Sequence, residues 1–324
     1  MNKLFMVAGI AASVTAVTGL CETTVRIDDC LQRTTSEALI RSVDKEDVAW
    51  CVVVRVKDGV PVAFAECGDT GREKLPLAVN RLVEPGHMIS PLTAAIAIDS
   101  GVASSNTMIS TATDEELFKS FKLPTDPHRT NELSLAEAIA TSSNTAISRL
   151  GIITGADKLY EGYARFGFGA RLRAFTKWSL QERARIPQGQ GLRVSALDIA
   201  NAYTILARCG ASDTGERVLS KHAGEEVVGM LEYAVTNGSG KRAEIDGVRV
   251  AGKTGTVHDA LIDGKYDHNS YIGSFAGFFP ADHPEYVVAV CVASQKSEGS
   301  LAYQGGGKAA VVFKAIAEEM VLKK

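Results

Sequence analysis

An excess of charge of one sign is the first thing this chain lacks. Its 35 Lys and Arg stand against 38 Asp and Glu, a net charge of -3. No basic run breaks that balance, which excludes the electrostatic footprint of a nucleic-acid binder. Aromatic residues make up only 6% of the chain and tryptophan occurs twice. Trp50 and Trp178 read as packing residues rather than ligand platforms. The six cysteines include no C-x-x-C pair, so no zinc site is indicated. His258 and His268 lie in a polar stretch, Thr256–Asn269, that reads as a solvated loop. Gly305-Gly306-Gly307-Lys308 lacks the spacing and the Ser/Thr of a phosphate loop and reads as the start of a helix. No metal or other cofactor is expected. Internal repeats and low-complexity tracts are absent as well.

Charge is scarcest at the start, where Lys3 is the only charged residue in Met1–Leu20. A short basic opening followed by an apolar run is the pattern of a secretory signal. The run is slightly short of the roughly 20 apolar residues of a membrane span, and an uncleaved anchor remains an alternative. So does a lipoprotein at Cys21, although Leu20 is large for the position before such a cysteine. No other segment is apolar enough to cross a membrane. The expectation is an exported, periplasmic or otherwise extracytoplasmic protein that touches the membrane only through this segment. Export permits disulfides. Cys51 and Cys67 flank an expected hairpin, but a two-residue turn at Asp58-Gly59 would pair Cys51 with Glu66 and put Cys67 on the opposite face. Cys209 and Cys291 read as buried small apolar residues.

What is present is a clear succession of elements. Thr35–Val43 reads as a helix. Ala49–Lys57 and Val60–Glu66 are β-rich runs joined by Asp58-Gly59. A helical middle follows, with Pro91–Ser100, Leu133–Ala140, Thr145–Ile152, Ala156–Phe166, Ser195–Cys209 and Lys221–Thr236. Then come three β-runs, Val248–Val257, Tyr271–Phe279 and Tyr286–Ala293, and a closing helix, Ala309–Val321. Two strands, a helical block, three strands and a helix predict an α+β fold. In it, the early and late strands form one antiparallel five-stranded sheet flanked by helices, with an all-helical subdomain beside it. The expected division is residues 1–20 as signal or anchor, 21–48 as lead-in and 49–324 as the domain, with its helical part at about 102–240.

Three local signals lie in chain order. Glu84-Pro85-Gly86-His87-Met88-Ile89-Ser90-Pro91 leads into a helix, Ser142-Ser143-Asn144 opens another, and Lys253-Thr254-Gly255-Thr256 lies in a strand. Their order and placement resemble the penicillin-binding protein transpeptidases and their serine β-lactamase relatives, which carry S-x-x-K, S-x-N and K-T-G. Weaker similarity extends over Asn80–Gly101, Phe166-Gly167-Phe168-Gly169, Gly189–Ala202, Gly277–Pro284 and Gly305–Ile316. The resemblance implies peptidoglycan metabolism and a cleft for a stem peptide or a β-lactam. It also implies a role for each matching residue. Ser142 and Asn144 complete a polar network and touch the substrate amide. Lys253 and Thr254 attract the terminal carboxylate, Gly255 lies between them and Thr256, and the Thr256 backbone N–H joins an oxyanion hole.

The departure is at the chemical centre. Where the family reads E-P-G-S-x-x-K-P, this chain has His87 in place of the nucleophilic serine and Ser90 in place of the lysine that takes its proton. The flanking Glu84-Pro85-Gly86 and Pro91 fix that alignment. One reading is a pseudoenzyme that binds stem peptide or a cell-wall synthesis partner. The other is an active D,D-transpeptidase, carboxypeptidase or β-lactam hydrolase with an unconventional His87/Ser90 pair, since i and i+3 share a helix face. The single S-x-x-K string in the chain, Ser42-Val43-Asp44-Lys45, precedes the first expected strand and reads as a solvated helix end.

Overall fold

The computed structural model describes residues 14–18, 21–70, 75–113, 115–121, 123, 125–126, 131–172, 178–258, 270–295 and 306–322. Its centre is an antiparallel sheet of five strands: β3 (Val48–Arg55), β4 (Val60–Cys67), β7 (Ala251–His258), β8 (Ser270–Phe279) and β9 (Tyr286–Gln295), in the order β4-β3-β9-β8-β7. Before it, β1 (Val14–Thr18) pairs with β2 (Cys21–Val25). That pairing falls where the sequence pattern placed the end of an apolar leader. The β-branched Val and Thr residues of both segments fit a pleated backbone. The rest of the expected leader lies outside the described residues, and among the described residues no helix is long and apolar enough to cross a membrane.

Two layers of helices sandwich the sheet. One face buries Cys51, Val53, Val288, Val290 and Phe275 against α1 (Asp29–Ser42) and α11 (Ala309–Leu322). Phe313 of α11 meets Phe275 and Phe279 with ring centroids 4.7 and 5.7 Å apart. The other face buries Trp50, Val52, Val54, Ala276, Phe278 and Cys291 under the helical block. Period-two alternation in β3 therefore sends apolar residues to both faces, as a central strand requires.

The helical block contains α2 (Leu77–Asn80), α3 (Ser90–Asp99), α4 (Glu115–Ser120), α5 (Leu135–Thr141), α6 (Asn144–Thr154), α7 (Ala156–Tyr163), α8 (Leu180–Arg185), α9 (Ala196–Ala207) and α10 (Lys221–Asn237). It also holds a small ribbon of β5 (Met108–Ser110) and β6 (Glu132–Ser134). Local sequence starts these helices cleanly. Ser134 with Glu137, Ser179 with Glu182 and Ser195 with Asp198 form reciprocal capping boxes at α5, α8 and α9.

The hairpin register differs from the expected one. Arg55 pairs with Val60 across a four-residue turn, and the register shifts between Val53 and Val54. Val56 turns its N–H to the Glu285 carbonyl at 2.8 Å instead of closing a two-residue turn. Pro61 has no N–H to give the ladder, which places it on an edge strand beside an irregularity. Cys51 consequently opposes Ala65, and Cys67 opposes Ala49 on the same face as Cys51. Both cysteines are free thiols, and burial pushes Cys51 up to about 12. Cys291 is buried, but Cys209 is only half-buried. It lies in the left-handed turn (φ 49°) that closes α9, which turns it toward the surface.

Candidate active site

The cleft lies where the outer edge of β7 meets the starts of two helices. A short 3-10 turn, Gly86–Ile89, precedes α3 and carries His87. Gly86 has φ 52°, and a Cβ there would meet the Thr256 nitrogen at 3.1 Å. A Cβ at Gly255 would meet the Pro85 carbonyl at 2.5 Å. Only glycine at both positions lets the turn and the strand touch backbone to backbone. On the same approach to the turn, Glu84 accepts from the Gly191 N–H at 2.7 Å.

The α5–α6 junction brings the second group. Ser142 closes α5 in the left-handed region (φ 59°, ψ 46°), which costs about 1 kcal/mol for a non-glycine residue. The cap of α6 is Ser143 rather than Ser142 or Asn144. Its hydroxyl accepts from the Ala146 N–H at 3.1 Å. Asp126 fixes this turn, accepting from the Ser143 hydroxyl at 2.6 Å and the Asn144 N–H at 2.7 Å. Ser142 and Asn144 are thereby left to face the cleft.

His87 is tied at both nitrogens. Nε2 lies 3.0 Å from Asn144 Oδ1 and Nδ1 lies 2.9 Å from Ser90 Oγ. An amide oxygen only accepts, so Nε2 carries the proton and, in the neutral ring, Nδ1 accepts from the Ser90 hydroxyl. Ser90 is fully buried, with the Pro187 carbonyl a second acceptor 3.2 Å away. That carbonyl is also served by Thr93 Oγ1 at 3.2 Å, which in turn meets the Tyr163 hydroxyl at 2.6 Å. Burial and the neighbouring Lys253 ammonium push the half-buried imidazole down to about 4, against the opposing pull of Asn144.

Lys253 is fully buried in β7. Its ammonium donates to Ser142 Oγ at 2.5 Å, Thr254 Oγ1 at 3.0 Å, and Ser239 Oγ and the Thr254 carbonyl at 3.2 Å each. Burial lowers it to about 7. Thr254 is nearly buried, whereas Thr256 is exposed at the cleft. All eight residues singled out from the sequence, His87, Ser90, Ser142, Asn144, Lys253, Thr254, Gly255 and Thr256, thus lie in one contiguous group. Sequence reasoning missed Ser239, which also meets Thr254 Oγ1 at 2.7 Å and Ser142 Oγ at 3.3 Å. Its only signal was a Gly-Ser-Gly break after α10. It also missed Asp126 and the Pro187 carbonyl.

The depressed His87 gives a testable acid sensitivity. A proton that the unfolded chain accepts near 6.5 is refused by the folded one until about 4. The stability tied to the neutral ring is therefore complete above about 6.5 and is lost as pH falls toward 4. It amounts to about 3 kcal/mol. Urea unfolding of the wild type and of His87→Gln should show the wild type falling more steeply across that interval. Parallel slopes would place the ring's proton affinity near its ordinary value.

The model of the penicillin binding protein transpeptidase domain matches residues 54–318. The chain is 31% identical over 264 residues to the probable peptidoglycan D,D-transpeptidase PenA of Neisseria meningitidis, covering 74% of this chain and 44% of that protein. It is 30% identical over 325 residues to the peptidoglycan D,D-transpeptidase FtsI of Escherichia coli, covering 90% and 54%. The chain therefore spans about half the length of these relatives. Among solved structures, the transpeptidase domain of Burkholderia pseudomallei penicillin-binding protein 3 superposes with a TM-score of 0.78 at 26% identity, covering 92% of this chain and 95% of that one. A sheet edge carrying K-T-G beside an S-x-N turn, matched along most of its length, makes this chain a member of the penicillin-binding protein transpeptidase domain family.

Proposed function

We propose that this protein binds D-alanyl stem peptides of peptidoglycan, outside the cytoplasm, without the acyl transfer of its relatives. The observation that carries the reading is His87. It stands where a nucleophile would open α3, yet both of its nitrogens are bonded to protein groups, to Asn144 and to the buried Ser90. Neither nitrogen offers the cleft a lone pair, and no lysine at position 90 could take a proton. The binding groups remain. Lys253 and Thr254 offer charge and a hydroxyl to a terminal carboxylate, and Thr256 lies at the open edge of the strand. Asn144 Nδ2, which has no partner among the described residues, is left to donate to a ligand carbonyl. A β-lactam, which carries a carboxylate beside a cyclic amide, would occupy the cleft non-covalently. The named activity of the relatives, peptidoglycan D,D-transpeptidase, supports the substrate class. Residues 1–20 acting as signal or anchor, with 49–324 as the binding domain, would place the cleft at the cell wall, where a wall-synthesis protein could be a further partner.

A second reading draws on the same contacts. Ser90 Oγ, His87 and Asn144 Oδ1 form a serine–imidazole–amide chain in which the ring could act as a base toward the hydroxyl. Burial of Ser90 beneath the cleft floor opposes it. Incubation with a penicillin, read by intact-protein mass spectrometry and by drug hydrolysis in the same tube, separates the two. Binding without acyl transfer predicts neither an adduct nor turnover. An adduct at Ser90 or His87, or hydrolysis that Ser90→Ala abolishes, would replace the first reading with the second.

A further inference from the structure

We infer that a carboxylate enters this cleft together with a proton, because Lys253 has no counter-ion among the described residues and the ligand supplies one. The inference rests on the peptide-binding reading above. Every partner of the Lys253 ammonium among the described residues is a neutral oxygen: two serine hydroxyls, a threonine hydroxyl and a carbonyl. No carboxylate pairs with it among the described residues. Among the described residues, the charged groups on the elements packed around it have other partners or carry the same sign. On the Gly86–Ile89 turn, His87 is neutral over the physiological range and would add only positive charge if protonated. Under the α5–α6 turn, Asp126 spends its two oxygens on Ser143 and Asn144. At the far end of α5, Glu137 caps its own helix. On α10, Glu232 is paired with Arg249. Beyond Gly240, Lys241 and Arg242 are exposed cations, and the β8 neighbours Ser274, Phe275 and Ala276 carry no charge.

An ammonium so enclosed loses its hydration and gains only dipoles in return. Lys253 accordingly titrates at about 7 rather than 10.5, with burial as the cause. A bound carboxylate stabilises the charged form and raises that value again. Above pH 7 the free cleft thus holds a neutral amine and the occupied cleft an ammonium, and the difference is one proton taken from solvent on binding. Below pH 7 both states are charged and no proton moves. Linkage then requires affinity to fall about tenfold per pH unit above 7 until the value in the complex is reached. The hydroxyls of Ser142, Ser239 and Thr254 suit either state, since each can donate to the amine or accept from the ammonium.

The experiment is calorimetric titration of the 324-residue chain with N-acetyl-D-Ala-D-Ala at pH 6 and pH 8.5, in phosphate and in Tris, whose ionisation heats differ. The expected result is buffer-independent heat at pH 6, uptake of close to one proton at pH 8.5, and affinity at least tenfold weaker at the higher pH. The same peptide with an amidated C-terminus should lose the affinity and the proton uptake together. Binding of equal strength at both pH values with no proton exchange would overturn the inference and leave the peptide-binding reading standing. Equal binding of the amidated peptide would overturn it too, by removing the carboxylate from the contact. No binding of either peptide at pH 6 would sink the peptide reading itself and this inference with it.

Discussion

The double variant His87→Ser with Ser90→Lys is expected to become a penicillin-acylated protein, whereas either substitution alone is expected to stay inert. The two native residues are an exchange of long for short. A side chain at position 90 starts one helical turn deeper than one at 87 and reaches the cleft only by extending past it. The imidazole of His87 now fills that path, bonded to Ser90 at one end and to Asn144 Oδ1, 3.0 Å away, at the other. Removing the ring vacates the space a lysine from position 90 would cross, and leaves Asn144 Oδ1 to receive its ammonium. The rest of the constellation is already in place, with Lys253 donating to Ser142 Oγ at 2.5 Å. His87→Ser alone supplies a hydroxyl with no base. Ser90→Lys alone drives a long chain into occupied space, and overpacking of that kind costs about 1–3 kcal/mol. The coupling should therefore be strongly non-additive, with acylation at least about a thousandfold faster in the double variant than in either single one. The check is the rate of appearance of a one-drug mass increase, mapped to position 87. A folded double variant that takes no drug would mean that other parts of the cleft have also departed from acyl transfer.

This dependence on neighbours also marks where the sequence was and was not legible. Element order could be read almost throughout, because caps and periodicity are local. Ser134 and Ser195 announce α5 and α9, and the β-branched runs announce β3, β8 and β9. The antiparallel sheet followed from that order. Its register did not, since the slip at Val53/Val54 depends on Pro61 and on Val56 reaching the Glu285 carbonyl, a contact far away in the chain. The motif residues lie side by side in the fold. The groups that set their chemistry were not visible: Asp126 under the Ser142-Ser143-Asn144 turn, Ser239 on Lys253, and the Pro187 carbonyl beneath Ser90. Each lies on a segment with no motif of its own, and one of them is a backbone atom, which no side-chain pattern can report.

Lys253→Met is expected to stabilise the fold and to abolish peptide binding at the same time. The sign follows from the proton balance. Lys253 binds its proton near pH 7 in the folded chain and near 10.5 when unfolded. Below pH 7 the native state carries an ammonium that would be better hydrated in the unfolded chain, and the whole penalty is present. Between 7 and 10.5 the unfolded state holds a proton the folded one lacks, so wild-type stability rises with pH and the penalty fades. At 1.36 kcal/mol per unit the penalty is several kcal/mol. A methionine of similar length removes it and forfeits hydrogen bonds worth about 1 kcal/mol each. Ser142, Ser239 and Thr254 can still pair with one another. The variant should then be more stable than the wild type by about 2 kcal/mol at pH 6 and slightly less stable at pH 10, so that the two curves of unfolding free energy cross. Affinity for N-acetyl-D-Ala-D-Ala at pH 6 should fall by about a hundredfold or more, the usual consequence of deleting one member of a buried charged contact. A variant destabilised at every pH would mean that the lysine is held as a structural strut. Stabilisation with loss of binding would identify it as a charge kept at the expense of stability because the cleft has a use for it.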